Sequence, residues 1–317
     1  MDDRLERYRQ TGLRAVDFQL QHQQEDGSFI WDQGIRDAYH KQTYSWGIAG
    51  RAAEAHRLIN WIRDNTLTPE DGLEGYNGDV YKQSWFFQGV HRLGRFDVSY
   101  PIWRFLTSCE APCGGFPHFK GDKYLRALAT AWTGVSAIYI GDLDLARRVG
   151  QCCISMLEQQ PDPGRFYFQL TYDGELVTAE TDEGAQFIDC AQTNQAYWEA
   201  SLPWMLMGRL YQATGEDEWL AQAERYFAVH KTFAEDRFAN VGSGKASLAA
   251  SVHYLNTGDT EARDAALTFA DFLVETQYPE GGWRGETEPD QLLIYIDHAA
   301  EYNVWLHELV SALHAMG

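Results

Sequence analysis

Leu93-Gly94-Arg95-Phe96-Asp97, Ile140-Gly141-Asp142, Thr214-Gly215-Glu216-Asp217 and Thr257-Gly258-Asp259 share one design: a glycine followed by an acid, set between apolar stretches with helical spacing. The glycine supplies the left-handed residue that ends one helix, and the acid caps or charges the start of the next. A second series of loops alternates with these turns: Gln24-Glu25-Asp26-Gly27-Ser28-Phe29, Asp71-Gly72-Leu73-Glu74-Gly75-Tyr76, Cys113-Gly114-Gly115-Phe116 and Gln277-Tyr278-Pro279-Glu280-Gly281-Gly282-Trp283. One series is short and the other long, so irregular, aromatic and acidic loop material collects at one end of a helical assembly. A period of about 40–50 residues with this layout marks a helical-hairpin repeat.

Working outward, apolar spacing predicts helices over 3–22, 39–53, 54–66, 81–93, 99–108, 123–140, 143–160, 193–214, 218–231, 244–256, 260–277 and 299–315. Residues 165–178 alternate instead, through Phe166, Phe168, Leu170 and Tyr172 to Asp173-Gly174 and Leu176, which is a β-hairpin inserted into the helical array. If the first and last helices pair, twelve helices make six hairpins. The simplest closed arrangement is an all-α (α/α)6 toroid, with inner helices after the long loops and outer helices after the short turns. Parallel inner helices would gather their N-termini and the long loops at one end, around a cavity. An open α-solenoid is the alternative, but such arrays have uniform periods, and here the glycine turns lie 47, 74 and 43 residues apart. No low-complexity linker interrupts residues 1–317, which read as one domain.

Of the 317 residues, 44% are hydrophobic and 23% charged, ordinary for a globular protein. The aromatic share of 14% exceeds what a core of Leu and Val needs. A net charge of −20, with six Lys against twenty Arg and no basic patch, repels nucleic acid and anionic lipid. The apolar runs are too short and interrupted for a membrane span. Met1-Asp2-Asp3-Arg4-Leu5-Glu6-Arg7 lacks the apolar stretch of a signal peptide. The five cysteines, with Cys152-Cys153 adjacent and no CxxC spacing, read as free thiols in a reducing cytoplasm.

Gln24…Gly27…Phe29/Trp31 and Gln277…Gly281-Gly282-Trp283 resemble the Gln–Trp repeat motif of the terpenoid cyclase and protein prenyltransferase superfamily, and Gly114-Gly115-Phe116 is a weaker copy. The resemblance implies a fold more than a chemistry: the Gln amide ties a loop to the next helix, and the aromatic packs between helices. Neither the Asp-x-Asp-Asp of squalene-type cyclases nor the Asp-Asp-x-x-Asp that binds magnesium diphosphate is present. A twelve-helix chain of this size also resembles linalool dehydratase/isomerase, with no residue match to carry over.

The long loops and inner-helix starts hold the polar candidates. Asp37, Asp79, Asp189, Glu199 and His298 are the expected catalytic groups. Tyr39, His40, Tyr44, Tyr81, Trp85, Trp132, Tyr197, Trp198 and Tyr302 are the expected substrate-binding groups. Asp79 also reads as a helix cap. Glu199, among Tyr197, Trp198 and Leu202, is expected to have a raised pKa and to donate a proton. Glu301 follows Asp297 by four residues, so both fall on one helical face. Asp189, Cys190 and His298 are zinc-ligand types, and the resemblance to prenyltransferases raises that metal. There the Asp and Cys stand two residues apart, whereas here they are adjacent, so no metal and no cofactor is expected. Gly242-Ser243-Gly244-Lys245 looks like part of a phosphate loop, but no strand precedes it.

Three functions fit this reading. The leading one is an enzyme that cyclises, isomerises or dehydrates an apolar polyene or alcohol of terpenoid type, with aromatic walls stabilising cationic character or templating a pericyclic closure. The second is a carbohydrate-active hydrolase, lyase or epimerase on the same toroid. The third is a scaffold without catalysis.

Overall fold

A computed structural model describes residues 2–29, 37–68, 72–283 and 292–316. The described residues form twelve α-helices: α1 (Asp2–Leu20), α2 (Gln42–Ile48), α3 (Ala52–Asn65), α4 (Val80–Arg92), α5 (Phe96–Thr107), α6 (Ala127–Ile140), α7 (Leu143–Glu158), α8 (Trp198–Thr214), α9 (Asp217–Lys231), α10 (Gly244–Thr257), α11 (Thr260–Thr276) and α12 (Leu292–Ala315). Gly141, Gly215 and Gly258 end α6, α8 and α10 in the left-handed conformation, as the short turns predict. Asp142 then caps α7, accepting from the Leu145 N–H at 3.0 Å.

The chain divides into two compact units, Met1–Ser108 with Ala270–His314, and Cys109–Phe269 with Ala315–Gly317. In the first, α2 packs on α3 and α4, and α4 on α5. The first and last helices also pair, because a methyl at Gly12 of α1 would lie 2.8 Å from Asn303 Oδ1 of α12. In the second unit, α6, α8 and α10 pack in sequence, backed by α7 and α9. The helices that follow long loops are buried all round: Ala127 through Ala137 of α6 are all buried, as are Glu199 through Gly208 of α8. The helices that follow short turns are amphipathic, with α7 burying Leu145, Val149, Cys153 and Met156 and leaving its charges outward.

Three of the long loops repeat one clamp. Gln23, Glu110 and Gln277 each stand four residues before Gly27, Gly114 and Gly281. These glycines have φ of +98°, +82° and +104°, and a methyl on them would lie 2.4, 2.8 and 2.3 Å from the carbonyl oxygens of Arg57, Arg148 and Arg14. The same arginines turn back: Arg57 Nη2 donates to Gln23 Oε1 at 3.3 Å, Arg148 Nε to Glu110 Oε1 at 2.8 Å and Arg14 Nε to Gln277 Oε1 at 2.9 Å. Gln277 Nε2 also donates to Thr11 O of α1, and Gln23 Nε2 to Glu54 O of α3. The Gln amides do tie these loops to helices, though to α3 and α1 and not to the helix that follows each loop, and in the first loop the amide belongs to Gln23, not Gln24, which bonds within the loop to Phe29 O. Trp31 of that loop lies outside the described residues.

Strands are few and short. The Asp173-Gly174 turn forms, with Gly174 N–H on Thr171 O and a bridge between Leu170 and Leu176. Its first limb finds other partners: β4 (Arg165–Tyr167) pairs antiparallel with β6 (Phe187–Asp189), and β5 (Gln169–Leu170) with β3 (Leu125–Arg126). The pair β1 (Leu67–Thr68) and β2 (Gly72–Leu73) lies before α4. Because β3 claims 125–126, α6 starts at Ala127, later than its periodicity indicates.

His230 is buried on α9, its Nε2 3.0 Å from Ser201 Oγ, among Tyr197, Trp204, Phe233 and Phe238. Burial, then the Arg237 charge, lowers its pKa from 6.5 to about 3.

The clamp predicts unequal costs for glycine substitutions. Gly27→Ala should cost roughly 3 kcal/mol or more, from strain and overlap together. Gly94→Ala, at φ +73° with nothing within 4 Å, should cost only about 1–2 kcal/mol. Equal losses in urea denaturation would show that contact with Arg57 does not constrain the fold. His230 predicts an acid-sensitive window. Below pH 6.5 the unfolded chain takes up a proton that the folded chain refuses until about pH 3, so this contribution is intact above 6.5 and is lost as pH falls toward 3. Between pH 6 and 4, wild type should lose about 1.4 kcal/mol per pH unit more than His230→Gln. Parallel curves would contradict a neutral, buried imidazole.

Candidate functional site

Two buried charge clusters hold most of the candidate residues, one in each unit. In the first unit the backbone at the start of α2 presents Lys41 as the N-cap residue, and α12 presents Asp297 and Glu301 one turn apart. Lys41 Nζ donates to Asp297 Oδ2 at 2.6 Å and to Glu301 Oε2 at 2.5 Å. His40 Nε2 lies 3.5 Å from Asp297 Oδ1, and Trp305 Nε1 donates to Glu301 Oε1 at 3.2 Å. Lys41 is only 4% exposed and Glu301 6%, so water does little of the compensating. Burial alone would lower the pKa of the Lys41 ammonium, but Asp297 and Glu301 outweigh it and hold the pKa raised. The lysine therefore stays charged.

Aromatic rings frame this cluster. The Trp85 ring centroid lies 5.7 Å from Lys41 Nζ and 5.3 Å from the Trp305 centroid. Tyr81 and Tyr44 approach Trp85 at 6.5 and 5.8 Å. Burial, then the Glu301 charge, pushes the Tyr81 hydroxyl well up, and the same causes act on Tyr302. Asp79, 1% exposed, is the N-cap of α4 and accepts from the Lys82 N–H at 2.8 Å. His298 stacks on Tyr302 at 5.7 Å, and Tyr302 meets Trp283 edge-on at 5.0 Å.

In the second unit Glu199 opens α8 and is fully buried. It accepts from Arg126 Nε at 2.7 Å, the Leu128 N–H at 2.9 Å and Trp198 Nε1 at 3.2 Å. Burial raises its pKa, against Arg126 and the Leu128 N–H, which lower it. The raised direction matches the sequence expectation, and the three donors add a restraint that its apolar neighbours did not announce. Trp198 is itself fixed from behind, since a methyl at Gly242 would come within 2.7 Å of its ring.

The other expected residues have structural partners. Tyr39 accepts from the Phe29 N–H at 3.0 Å and stacks on Trp61. Tyr44 donates to Glu308 Oε1 at 2.8 Å. It lines a cavity of about 250 Å³ with Thr43, Gly47, Ile48, Gly89, Arg92 and Leu93. That cavity is lined by α2 and the last turn of α4, and neither Lys41 nor the carboxylates paired with it are among its lining residues. Tyr197 donates to Asp236 and stacks on Phe233. Trp132 is buried within α6. Asp189 ends β6, not an inner helix, and accepts from the Ala191 N–H at 3.0 Å. The side chain of Asp37 lies outside the described residues. Asp189 and Cys190 belong to the second unit and His298 to the first. Among the described residues no group of three or more His, Cys, Asp and Glu is placed to hold a metal ion.

Lys41 and Arg126, which pair with these buried acids, are not among the residues that the sequence singles out. The signal for Lys41 was available: one of six lysines, beside His40, just before an apolar helix. Its acids come from a helix some 250 residues away, which no local pattern connects to it.

No protein-family model matches the chain, and no curated protein matches it in sequence. Solved structures do. The GH76A α-1,6-mannanase from Salegentibacter sp. HEL1_6 is similar at 14% identity, over 96% of this chain and 99% of that one, with a TM-score of 0.68. D-mannose isomerase is similar at 12% identity, over 94% and 96%, with a TM-score of 0.69. The type II terpene cyclase MstE from Scytonema, bound to geranylgeranyl dihydroxybenzoate, is similar at 14% identity, over 99% of both chains, with a TM-score of 0.60. The chain has the α/α-toroid fold. All three of these structures are of enzymes. No helix among the described residues is long and apolar enough to cross a membrane.

The Lys41 cluster makes a testable demand on stability. Lys41→Met strands two buried carboxylates and should cost about 3–5 kcal/mol. Adding Asp297→Asn and Glu301→Gln to it should recover most of that loss. A single variant within about 1 kcal/mol of wild type in urea denaturation would show that the three charges are not mutually dependent.

Proposed function

We propose that this chain is an enzyme that transforms a small, oxygen-rich substrate, a sugar or sugar-like polyol, by proton transfer. Isomerisation, epimerisation and cleavage of a glycosidic bond all fall within that chemistry. The observation that carries the reading is the buried ammonium of Lys41 bridging Asp297 and Glu301 beside the Trp85 ring. A lysine has three N–H donors, and the two carboxylates take two. The third suits a hydroxyl or carbonyl oxygen, while the carboxylate oxygens suit substrate hydroxyls and the indole suits the apolar face of a sugar ring. The likeness to an α-1,6-mannanase and to a D-mannose isomerase, both sugar enzymes, supports this reading.

A terpenoid substrate is the second reading. The run of Tyr44, Tyr81, Trp85 and Trp305 favours it, as does the likeness to a terpene cyclase. A hydrocarbon makes no use of the hydrogen-bonding groups of Lys41, Asp297 and Glu301, which is why this reading stands second.

Purified protein offered a panel of aldoses, ketoses and mannosides, and in parallel a panel of prenyl alcohols and diphosphates, separates the two. Conversion of a sugar is expected, read by NMR. Glu301→Gln, checked for folding by circular dichroism, should then lower kcat by about 10²–10⁴-fold. Conversion of a prenyl substrate with every sugar inert would overturn the proposal.

A further inference from the structure

The second clamp loop differs from its counterparts in carrying a cysteine. Cys113 precedes Gly114, whereas Asp26 precedes Gly27 and Glu280 precedes Gly281. Its thiol lies against Cys152 of α7. A methyl built on Gly115 would sit 3.1 Å from Cys152 Sγ and 3.6 Å from Cys113 Sγ, so the two sulfurs gather beside the bare face of this glycine. Gly114 already rests on the Arg148 carbonyl, 2.8 Å from where its own methyl would be, and this holds the loop on the same helix.

The two thiols are unequal. Cys113 is half-buried and Cys152 buried. A hydrogen bond from Cys152 brings the Cys113 thiol down to about 6, against burial, which raises it. Giving that hydrogen bond, together with burial, pushes Cys152 well up. Cys153, adjacent in sequence, is buried and pushed up to about 12. Cys190 sits apart, near Thr232 and Pro163.

We propose that Cys113 and Cys152 are a reversible dithiol pair, with Cys113 attacking and Cys152 resolving, and that low-molecular-weight disulfides are the oxidant. The Cys113 thiolate attacks one sulfur of the disulfide RSSR, forming Cys113–S–S–R and expelling RS⁻. Cys152 gives up its proton to the expelled thiolate, and its sulfur attacks Cys113 Sγ and displaces the second RS⁻. Two cysteine thiols are oxidised, one RSSR is reduced to two RSH, and the chain gains one disulfide between the loop and α7. An accessible thiolate beside a resolving thiol is the arrangement that such exchange requires.

The test treats reduced, full-length protein with oxidised glutathione at pH 7, quenches it in acid and maps the peptides by mass spectrometry. A single Cys113–Cys152 disulfide, reopened by dithiothreitol, is the expected product. Cys152→Ala should stop at the mixed disulfide on Cys113. It should also move the pH midpoint of Cys113 alkylation by iodoacetamide from about 6 toward the ordinary ~8.5. A disulfide between other cysteines, no adduct on Cys113, or a midpoint unmoved by Cys152→Ala would overturn the proposal. Should that variant fold poorly, a wild-type midpoint already near ~8.5 overturns it alone.

Discussion

The constraint on which the helical array depends is the contact between a loop glycine and the carbonyl of an arginine on an outer helix. At Gly27, Gly114 and Gly281 the loop backbone comes so near the helix that a single methyl would overlap Arg57, Arg148 or Arg14. The same arginine then reaches around to hold the Gln or Glu four residues earlier. One residue thus offers its carbonyl as a floor and its guanidinium as a latch. This sets where each long loop leaves its helix, and so where the following buried helix begins.

Those buried helices carry charge into the interior, and charge there must be answered. Lys41 meets Asp297 and Glu301, and Arg126 meets Glu199. A buried ion pair adds little net stability, because the desolvation cost is close to the Coulomb gain. What such pairs do supply is a fixed arrangement of polar groups held away from water. In the first cluster the Trp85 ring lies against the Lys41 ammonium, and Trp305 donates its indole N–H to Glu301.

Much of this was legible because helical spacing and turn chemistry are local. All twelve helices were read from apolar periodicity, and Gly141, Gly215 and Gly258 end their helices as the Gly–acid turns indicate. The misreadings share one cause, long-range pairing. α12 begins at Leu292 instead of residue 299, because Asp297 and His298 look like loop residues until Lys41 is placed against them. The first limb of the 165–178 segment pairs with Phe187–Asp189, a partner beyond the Asp173-Gly174 turn. Gln24 stood out beside the acidic loop, yet Gln23 has the four-residue spacing to Gly27 that lets its amide bridge to α3.

The candidate site divides in the same way. The spacing of Asp297 and Glu301, and the apolar neighbours of Glu199, were enough to place two acids on one helical face and to give a third a raised pKa. By itself, then, the sequence determined the helices, the turns between them and the inventory of acids and aromatics, since each follows from backbone preference or from residues within one or two turns. Tertiary structure alone decided that Lys41 and Arg126 answer those acids, that Tyr39 bonds the Phe29 backbone and Tyr197 bonds Asp236, and that Cys113 lies beside Cys152. Each of these is a contact between residues far apart in the chain, and its energy depends on a burial that exists only once the helices have packed.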